Sequence, residues 1–155
     1  MKKYWLMKSE PDVFGIDDLK KDKTTWWEGV RNYQARNFMM KDMNPGDEVL
    51  FYHSNAEPPG IAGLAKVSQA AQPDKTQFDK KSEYFDPKAS KEKPNWYCVE
   101  VKFNKKFSEV VSLEEIKNDP KLSNMLVIKR GQRLSIQPVT EKDFTYLKKK
   151  GLETK

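Results

Sequence analysis

The stretch Val49–Val67, VLFYHSNAEPPGIAGLAKV, decides the fold of this chain. Val49–His53 is a short apolar run of strand-forming residues, and the small and branched residues of Ile61–Val67 are strand-like as well. Turn-forming residues lie between the two runs, so the sequence predicts neighbouring strands joined by the loop 54–60. Two consecutive prolines restrict the backbone of this loop. The sequence therefore predicts a stiff loop at one end of a hairpin.

Polar side chains at His53, Ser54 and Asn55 begin this loop, although neither a core nor a short hairpin requires them. Gly60 and Gly63 follow, and the absence of a side chain lets a ligand or a neighbouring backbone approach closely. A rigid polar tip above small residues suits the floor of a specific pocket. An ordinary solvated hairpin loop explains the same residues equally well.

The composition is that of one folded domain. The chain has 155 residues, enough to bury a core, and it contains 4 Trp, 6 Tyr and 8 Phe, which disordered chains lack. The single cysteine, Cys98, excludes an intramolecular disulfide and a cysteine-based zinc site. We therefore expect one domain over residues 1–155, with no metal and no cofactor.

Membrane and export signals are not found in the sequence. No apolar run is long enough for a membrane helix, and residues 1–12 lack the apolar stretch and the cleavage site of a signal peptide. We therefore expect a monomeric, cytoplasmic protein with no membrane partner.

Positive charge is concentrated near the C-terminus. Residues 121–155 carry 9 basic and 3 acidic residues, and this excess equals the net charge of +6 of the whole chain. A basic end on a neutral body favours a polyanion partner, with nucleic acid first. Lys129–Arg130 and Arg133 are the better contact candidates, because Lys148–Lys150 also fit the favourable C-terminal end of a helix.

Short strands interleaved with short helices make up the rest of the predicted fold. Strands are predicted at residues 4–7, 49–53, 61–67, 96–103 and 134–139. Helices are predicted at residues 16–19 and 32–43, after the capping box Ser112–Glu115, and after Thr140. Residues 70–95, with three prolines and many charges, are predicted to form a long surface excursion. This pattern indicates an α+β fold built on a small, mostly antiparallel barrel or curved sheet.

Tryptophans occupy positions that one core does not explain. Trp96 falls on the polar face of its predicted strand, so it either covers a second small core or lines a pocket. Trp26 and Trp27 point in opposite directions on extended chain, so at most one should be fully buried. The following run, Glu28–Asn37, suits recognition of anions and base edges, although a charged helix start packed on its own domain also explains it.

No catalytic constellation is present in the sequence. The only histidine and the only cysteine are 45 residues apart, and neither lies in a nucleophile motif. A phosphate-binding glycine loop, zinc-ligand spacing and a deaminase signature are all missing. His53 is better explained as a pocket-wall or structural residue than as a general base. We therefore expect a binding protein rather than an enzyme.

Long motifs along nearly the whole chain resemble the EVE domain. The matching stretches are Tyr4–Pro11 (YWLMKSEP), Trp27–Asn37 (WEGVRNYQARN), Gly46–Asn55 (GDEVLFYHSN), Pro59–Gly63 (PGIAG), Pro73–Asp79 (PDKTQFD) and Arg130–Thr140 (RGQRLSIQPVT). The resemblance implies a PUA-like fold, a small β-barrel decorated with short helices that is similar to the YTH domain. It also implies binding of a modified base, such as modified cytosine, in DNA or RNA.

Combined with this resemblance, the residues predict capture of an unstacked base without chemistry. The stacking candidates are Trp27, then Phe78 and Trp96. The candidates for reading the base edge are Ser9, Asn32, Ser54 and Asn55. The candidates for holding phosphates are Lys8, Arg31, Arg36, Arg130 and Arg133. Two other classes stay open: an ASCH-type PUA-like enzyme acting on a modified nucleoside, and a module that binds a peptide or a small metabolite.

Overall fold

The computed structural model describes residues 2–131 and 133–153. The strands are β1 (Tyr4–Ser9), β2 (Thr24–Trp26), β3 (Glu48–His53), β4 (Gly60–Pro73), β5 (Tyr97–Ser112) and β6 (Ile136–Val139). The α-helices are α1 (Pro11–Phe14), α2 (Ile16–Asp22), α3 (Tyr33–Asn37), α4 (Leu113–Asn118) and α5 (Glu141–Glu153). A π-helical turn, Phe38–Asp42, follows α3, and 3-10 turns occupy Lys75–Phe78, Pro120–Leu122 and Leu126–Ile128.

One six-stranded sheet, in the order β2-β5-β4-β3-β1-β6, organises the molecule. β1 and β3 run parallel, and the other neighbouring pairs are antiparallel. Within the described residues, the edge strands β2 and β6 do not pair, so the sheet stays open. The predicted α+β class and the mostly antiparallel pairing are confirmed, and the described strands form the predicted curved-sheet alternative rather than a closed barrel. Both edge strands are short, with 3 and 4 residues, which offers little backbone to close a ring.

β4 and β5 are much longer than predicted, with 14 and 16 residues. Their pairing shifts register at four places, and such irregularities bend a strand and increase its twist. The bulges and the run of exposed residues Asn104, Lys105 and Lys106 break the alternation that the sequence prediction followed. The first part of the predicted excursion therefore belongs to β4. We use "the excursion" for residues 74–96, which connect β4 to β5.

Both faces of the sheet are covered by hydrophobic side chains. One face packs Trp5, Met7, Val49 and Phe51 against Trp27, Ala35 and Met39. The opposite face packs Leu6, Leu50 and Tyr52 against Phe107, Phe144 and Leu147. A strand that is buried on both faces needs a nearly continuous apolar run, which explains the sequence VLFY of β3.

Helix caps define where the helices begin. The Asn32 side chain accepts a hydrogen bond from the backbone of Ala35 (3.0 Å) and so starts α3. The Ser112 hydroxyl accepts from the backbone of Glu115 (3.1 Å), and this confirms the predicted capping box. Thr140 likewise accepts from the backbone of Asp143 (3.1 Å), so the predicted start of α5 is confirmed.

Gly151 in α5 provides a test of the packing between this helix and the sheet. A Cβ atom at this position would lie 2.2 Å from the ring of Phe107, so Gly151→Ala overpacks the contact. Alanine stabilises a helix by about 1 kcal/mol relative to glycine, but overpacking costs about 1–3 kcal/mol. We expect a net loss of stability in chemical unfolding. The loss should shrink in a Phe107→Leu background, and a stabilised Gly151→Ala single variant would contradict this packing.

Candidate nucleic-acid interface

The parallel pair of β1 and β3 brings polar residues to one edge of the sheet. Parallel strands end at the same edge, and Ser9 is in register with His53. The backbone of Ser54 donates to the carbonyl of Ser9 (2.9 Å), and the Asn55 side chain donates to the Glu10 carboxylate. Three predicted base-edge residues, Ser9, Ser54 and Asn55, are therefore neighbours. We refer to these three residues and Glu10 as the carboxyl edge.

The hydrogen bonds at this edge leave one hydroxyl available. Ser9 donates its hydroxyl proton to the carbonyl of Phe14 (2.6 Å), and His53 Nε2 accepts from the backbone of Ile16 (3.1 Å). The Ser54 hydroxyl is half-buried and has no partner among the described residues. A serine hydroxyl can donate and accept, so Ser54 is free to bond a ligand.

Lys8 and the basic segment before β6 lie beside the same edge. The Lys8 ammonium lies 5.8 Å from the centre of the Tyr52 ring, and burial lowers the pKa of Lys8 below its usual value. The backbone of Lys8 donates to the carbonyl of Ser135 (2.8 Å), which brings the chain around Arg133 close to β1. Arg130 and Arg133 are exposed and form no ion pair with a described carboxylate. Their phosphate-binding role stays a prediction.

A buried carboxylate holds the excursion against the segment before α3. The Asp74 side chain is 1% exposed and accepts from the backbone of Gly29 (2.8 Å), from Arg31 Nη1 (3.2 Å) and from Thr76 through its backbone and hydroxyl. Burial alone would raise the pKa of Asp74, but the hydrogen bonds from Thr76, Gly29 and Arg31 together hold this pKa below its usual value. Asp74 is therefore charged at neutral pH.

Arg31 and Arg36 hold the excursion through hydrogen bonds to its backbone. Arg31 donates to the carbonyl of Tyr84 (2.7 Å), and its guanidinium carbon lies 5.3 Å from the Tyr84 ring and 5.2 Å from the Trp96 ring. Arg36 donates to the carbonyl of Asn95 (2.8 Å). Both side chains thus have structural partners, and their predicted contacts with phosphate stay predictions.

Trp96, at the end of the excursion, is buried. Its indole donates to Asp86 (2.8 Å), its backbone donates to the side chain of the buried Gln77 (2.8 Å), and its ring stacks on Tyr33. Phe78 is half-buried in the same excursion, and in the described part of the chain it has no partner ring. The stacking roles of both residues stay predictions.

The exposed ring of Tyr33 is a feature that the sequence prediction missed. Tyr33 directly follows the predicted site residue Asn32, which is itself exposed. The alternation of polar and aromatic residues at a helix start was the available signal. The position of Trp96 beneath the Tyr33 ring depends on residues far apart in sequence, so the sequence could not indicate it.

The Trp27 ring packs in the core on the side of the carboxyl edge. It is 7% exposed and meets the edge of Phe51 at 5.6 Å, and Phe51 meets His53 at 5.7 Å. Trp26 is only half-buried, so the prediction that at most one of the two is fully buried is confirmed. In this structure the Trp27 ring is part of the core, and its role in base stacking stays a prediction.

Tyr84 packs the excursion against the segment before α3. The neighbouring Glu83 carboxylate raises the pKa of Tyr84, and burial and the charge of Glu10 raise it further. Tyr84 also lies directly over Gly29, where a Cβ atom would come within 2.8 Å of its ring. Tyr84 therefore holds the excursion against the segment 27–32 through Gly29 and Arg31.

Cys98, the only cysteine of the chain, is poorly suited to act as a nucleophile. Burial raises the pKa of the Cys98 thiol to about 12, so the thiolate is not populated at neutral pH.

The described residues include no cluster of three or more His, Cys, Asp or Glu side chains that could hold a metal ion. No helix in residues 2–131 and 133–153 is long and apolar enough to cross a membrane.

Comparison with known proteins shows the family. The EVE domain model matches residues 3–150, and this chain belongs to the EVE domain family. It is 43% identical over 163 residues to thymocyte nuclear protein 1 of Homo sapiens, an alignment that covers 93% of this chain and 72% of that protein.

Solved structures resemble the chain along nearly all of its length. A hypothetical protein from Leishmania major is 50% identical, with a TM-score of 0.93 and coverage of 99% of this chain and 96% of that chain. The human THYN1 protein, in complex with DNA containing 5-methylcytosine, is 42% identical, with a TM-score of 0.90 and coverage of 99% of both chains.

His53 makes the stability of the protein depend on pH. Burial lowers the pKa of this histidine below its usual 6.5, although Asp17 acts in the opposite direction. The unfolded chain therefore takes up a proton first, and the free energy of unfolding should fall as the pH drops from 7 through 6.5. NMR titration of the single imidazole should give a midpoint below 6.5. A His53→Gln variant should lose this dependence above about pH 5, and a midpoint at or above 6.5 would contradict the burial.

Asp74→Ala should test how the excursion is held. The substitution leaves the Arg31 guanidinium and the Gly29 and Thr76 N–H groups without their acceptor, which should cost about 3 kcal/mol or more in chemical unfolding. Asp12→Ala is the matched control, because Asp12 is exposed and has no hydrogen bond through its side chain to a described residue. Equal stability of the two variants would show that the carboxylate is dispensable.

Proposed function

We propose that this protein is a non-catalytic reader of DNA that contains a modified cytosine. In this proposal residues 1–155 act as one EVE domain with a PUA-like fold whose sheet remains open. The main support is the human THYN1 protein, which is 42% identical over nearly the whole chain and forms a complex with DNA containing 5-methylcytosine. The geometry of the carboxyl edge supports the same function.

The polar groups of the carboxyl edge suit the hydrogen-bonding edge of cytosine. Cytosine presents an exocyclic amino group, which a carboxylate accepts well. The exposed Glu10 carboxylate can accept from this amino group, while the unpartnered Ser54 hydroxyl and the amide of Asn55 serve neighbouring positions. Ser9 and Asn32 complete the proposed set of base-edge residues.

Aromatic side chains supply the remaining attraction for the base. Base stacking on an aromatic ring contributes about 1–3 kcal/mol, which offsets the few kcal/mol that extrusion of a base costs. We infer that Trp27 forms the stacking surface, with Phe78 and Trp96 as the second choices. A methyl group buried in the slot adds about 0.8 kcal/mol, so discrimination by the methyl group alone is modest.

Cationic residues near the edge would hold the flanking phosphates. Lys8, Arg130 and Arg133 are the first choices, because none of them is engaged in an ion pair with a described carboxylate. Arg31 and Arg36 come second, since their N–H groups already bond the excursion. Such contacts set affinity and salt dependence without reading sequence.

His53 and Cys98, the two side chains that an enzyme could use, are poorly suited to catalysis. His53 Nε2 already accepts a backbone N–H, so this nitrogen is not available to take a proton from a substrate. Burial raises the pKa of the Cys98 thiol to about 12, so Cys98 is not a nucleophile at neutral pH. We therefore propose binding without chemistry.

Ser54→Ala provides the test of this function. The panel consists of single-stranded oligonucleotides that differ only in one cytosine, which is either unmodified or 5-methylated. We expect the wild-type protein to prefer the methylated strand. The variant should bind that strand about 2- to 10-fold more weakly, the value of one hydrogen bond, with little change in stability.

Two controls define the result. Ser123→Ala removes an exposed hydroxyl that likewise has no described partner, and it should leave binding unchanged. Product analysis after incubation with the methylated nucleoside should show no new compound. Equal binding of both strands by the wild-type protein would contradict the reader function, and a new product would favour the ASCH-type enzyme.

A further inference from the structure

Tyr33 combines high exposure with a fixed orientation. Its side chain is 57% exposed, although it is a large aromatic residue in the first turn of α3. Its ring stacks on Trp96 with 4.9 Å between the centroids and 21° between the planes. Its hydroxyl also lies 3.5 Å from the side-chain nitrogen of Asn95.

One face of the Tyr33 ring is open. The guanidinium carbon of Arg36 lies 4.7 Å from the Tyr33 centroid and 5.7 Å from the Trp96 centroid. If Arg36 and Trp96 lay on opposite faces of Tyr33, the distance between them would approach the sum of their distances to the Tyr33 ring. Arg36 and Trp96 therefore do not sandwich that ring. With Trp96 stacked on one face, the exposure of Tyr33 leaves the other face as the surface on which a ligand could stack.

The support beneath Tyr33 is rigid. The Trp96 indole is held by Asp86 (2.8 Å), and the backbone of Trp96 is held by Gln77 (2.8 Å). Tyr33 therefore loses little rotamer freedom when a flat ligand stacks on it, and such preorganisation raises affinity.

The charge around Tyr33 favours an anionic ligand with a flat apolar part. Arg36 donates to Asn95 and to the side chain of Asn37, which are neutral oxygen acceptors, and it forms no ion pair with a carboxylate in the described residues. The nearby Asp86 carboxylate already accepts from Trp96, Asn95 and the backbone of Lys88. A positive charge at the rim of an exposed ring fits a nucleotide.

We propose that the open face of Tyr33 is a second base-binding subsite, which stacks an unpaired nucleobase flanking the captured one. Arg36 then faces the phosphate of that nucleotide. The inference rests on the proposed function, because the partner is the same nucleic-acid strand. Tyr33 directly follows Asn32, which the proposed slot includes, so the two subsites are adjacent along the chain.

The test combines a Tyr33→Ala variant with a scan of abasic positions. The probe is a single-stranded oligonucleotide with one 5-methylcytosine, in which each flanking nucleotide in turn lacks its base. Tyr33→Ala should weaken binding of the intact strand by about 5- to 150-fold, the value of one base–aromatic contact. Tyr33→Phe should bind like the wild-type protein. Met40→Ala, which truncates another exposed residue that follows α3, should have no effect.

The subsite is identified by the flanking position at which the loss of the base and the Tyr33→Ala substitution have non-additive effects on affinity. At one flanking position, loss of the base should weaken the wild-type protein as much as Tyr33→Ala does, and the variant should lose nothing further there. The ratio of affinities for methylated and unmodified strands should stay the same in Tyr33→Ala. Additive losses at every position, or normal binding by Tyr33→Ala, would overturn the subsite without affecting that ratio. A wild-type protein with no preference for the methylated strand would instead contradict the proposed function.

Discussion

The carboxylate of Asp74 is the constraint on which the candidate interface depends. It lies at the point where β4 leaves the sheet, and it binds both the segment before α3 and the start of the excursion. Arg31 extends this contact to the rings of Trp96 and Tyr84. Because Trp96 in turn supports Tyr33, the geometry of the exposed ring is set through a chain of contacts that begins at one buried charge.

The parallel pairing of β1 and β3 is the second determinant. In a sheet that is otherwise antiparallel, it places two strand ends side by side and so joins Ser9 to Ser54. The hydrophobic face beneath this edge carries Phe51 and Trp27, whose rings are in contact. A polar edge beside a layer of aromatic rings is an arrangement that a simple hairpin cannot provide.

Local signals in the sequence predicted the elements well and their assembly less well. The hairpin around Ser54, the capping box at Ser112 and the start of α5 all follow from neighbouring residues. The extra length of β4 and β5 depends on bulges, and the open sheet on the shortness of the edge strands, and the sequence marks neither.

Prediction of the candidate site from the sequence has the same limit, because its contacts join distant parts of the chain. Sequence motifs indicated Arg31 and Trp96, but the contacts of Arg31 with Asp74 and Tyr84 join residues more than forty positions apart. Arginine next to an aromatic run suits phosphate binding and internal support equally, and only the fold shows that the internal partners are present. Tyr33 was missed for a related reason, since exposure of an aromatic ring is a property of the packing around it.

The way in which the excursion is anchored separates it from the rest of the protein. Hydrogen bonds from Arg31 and Arg36 and one buried carboxylate hold it, while the strands beneath are held by apolar packing on both faces. Regions with few apolar contacts open more readily than the core does. Residues 74–96 can therefore open locally while the sheet beneath stays folded, so a ligand that contacts this segment can be accommodated without a change in the core.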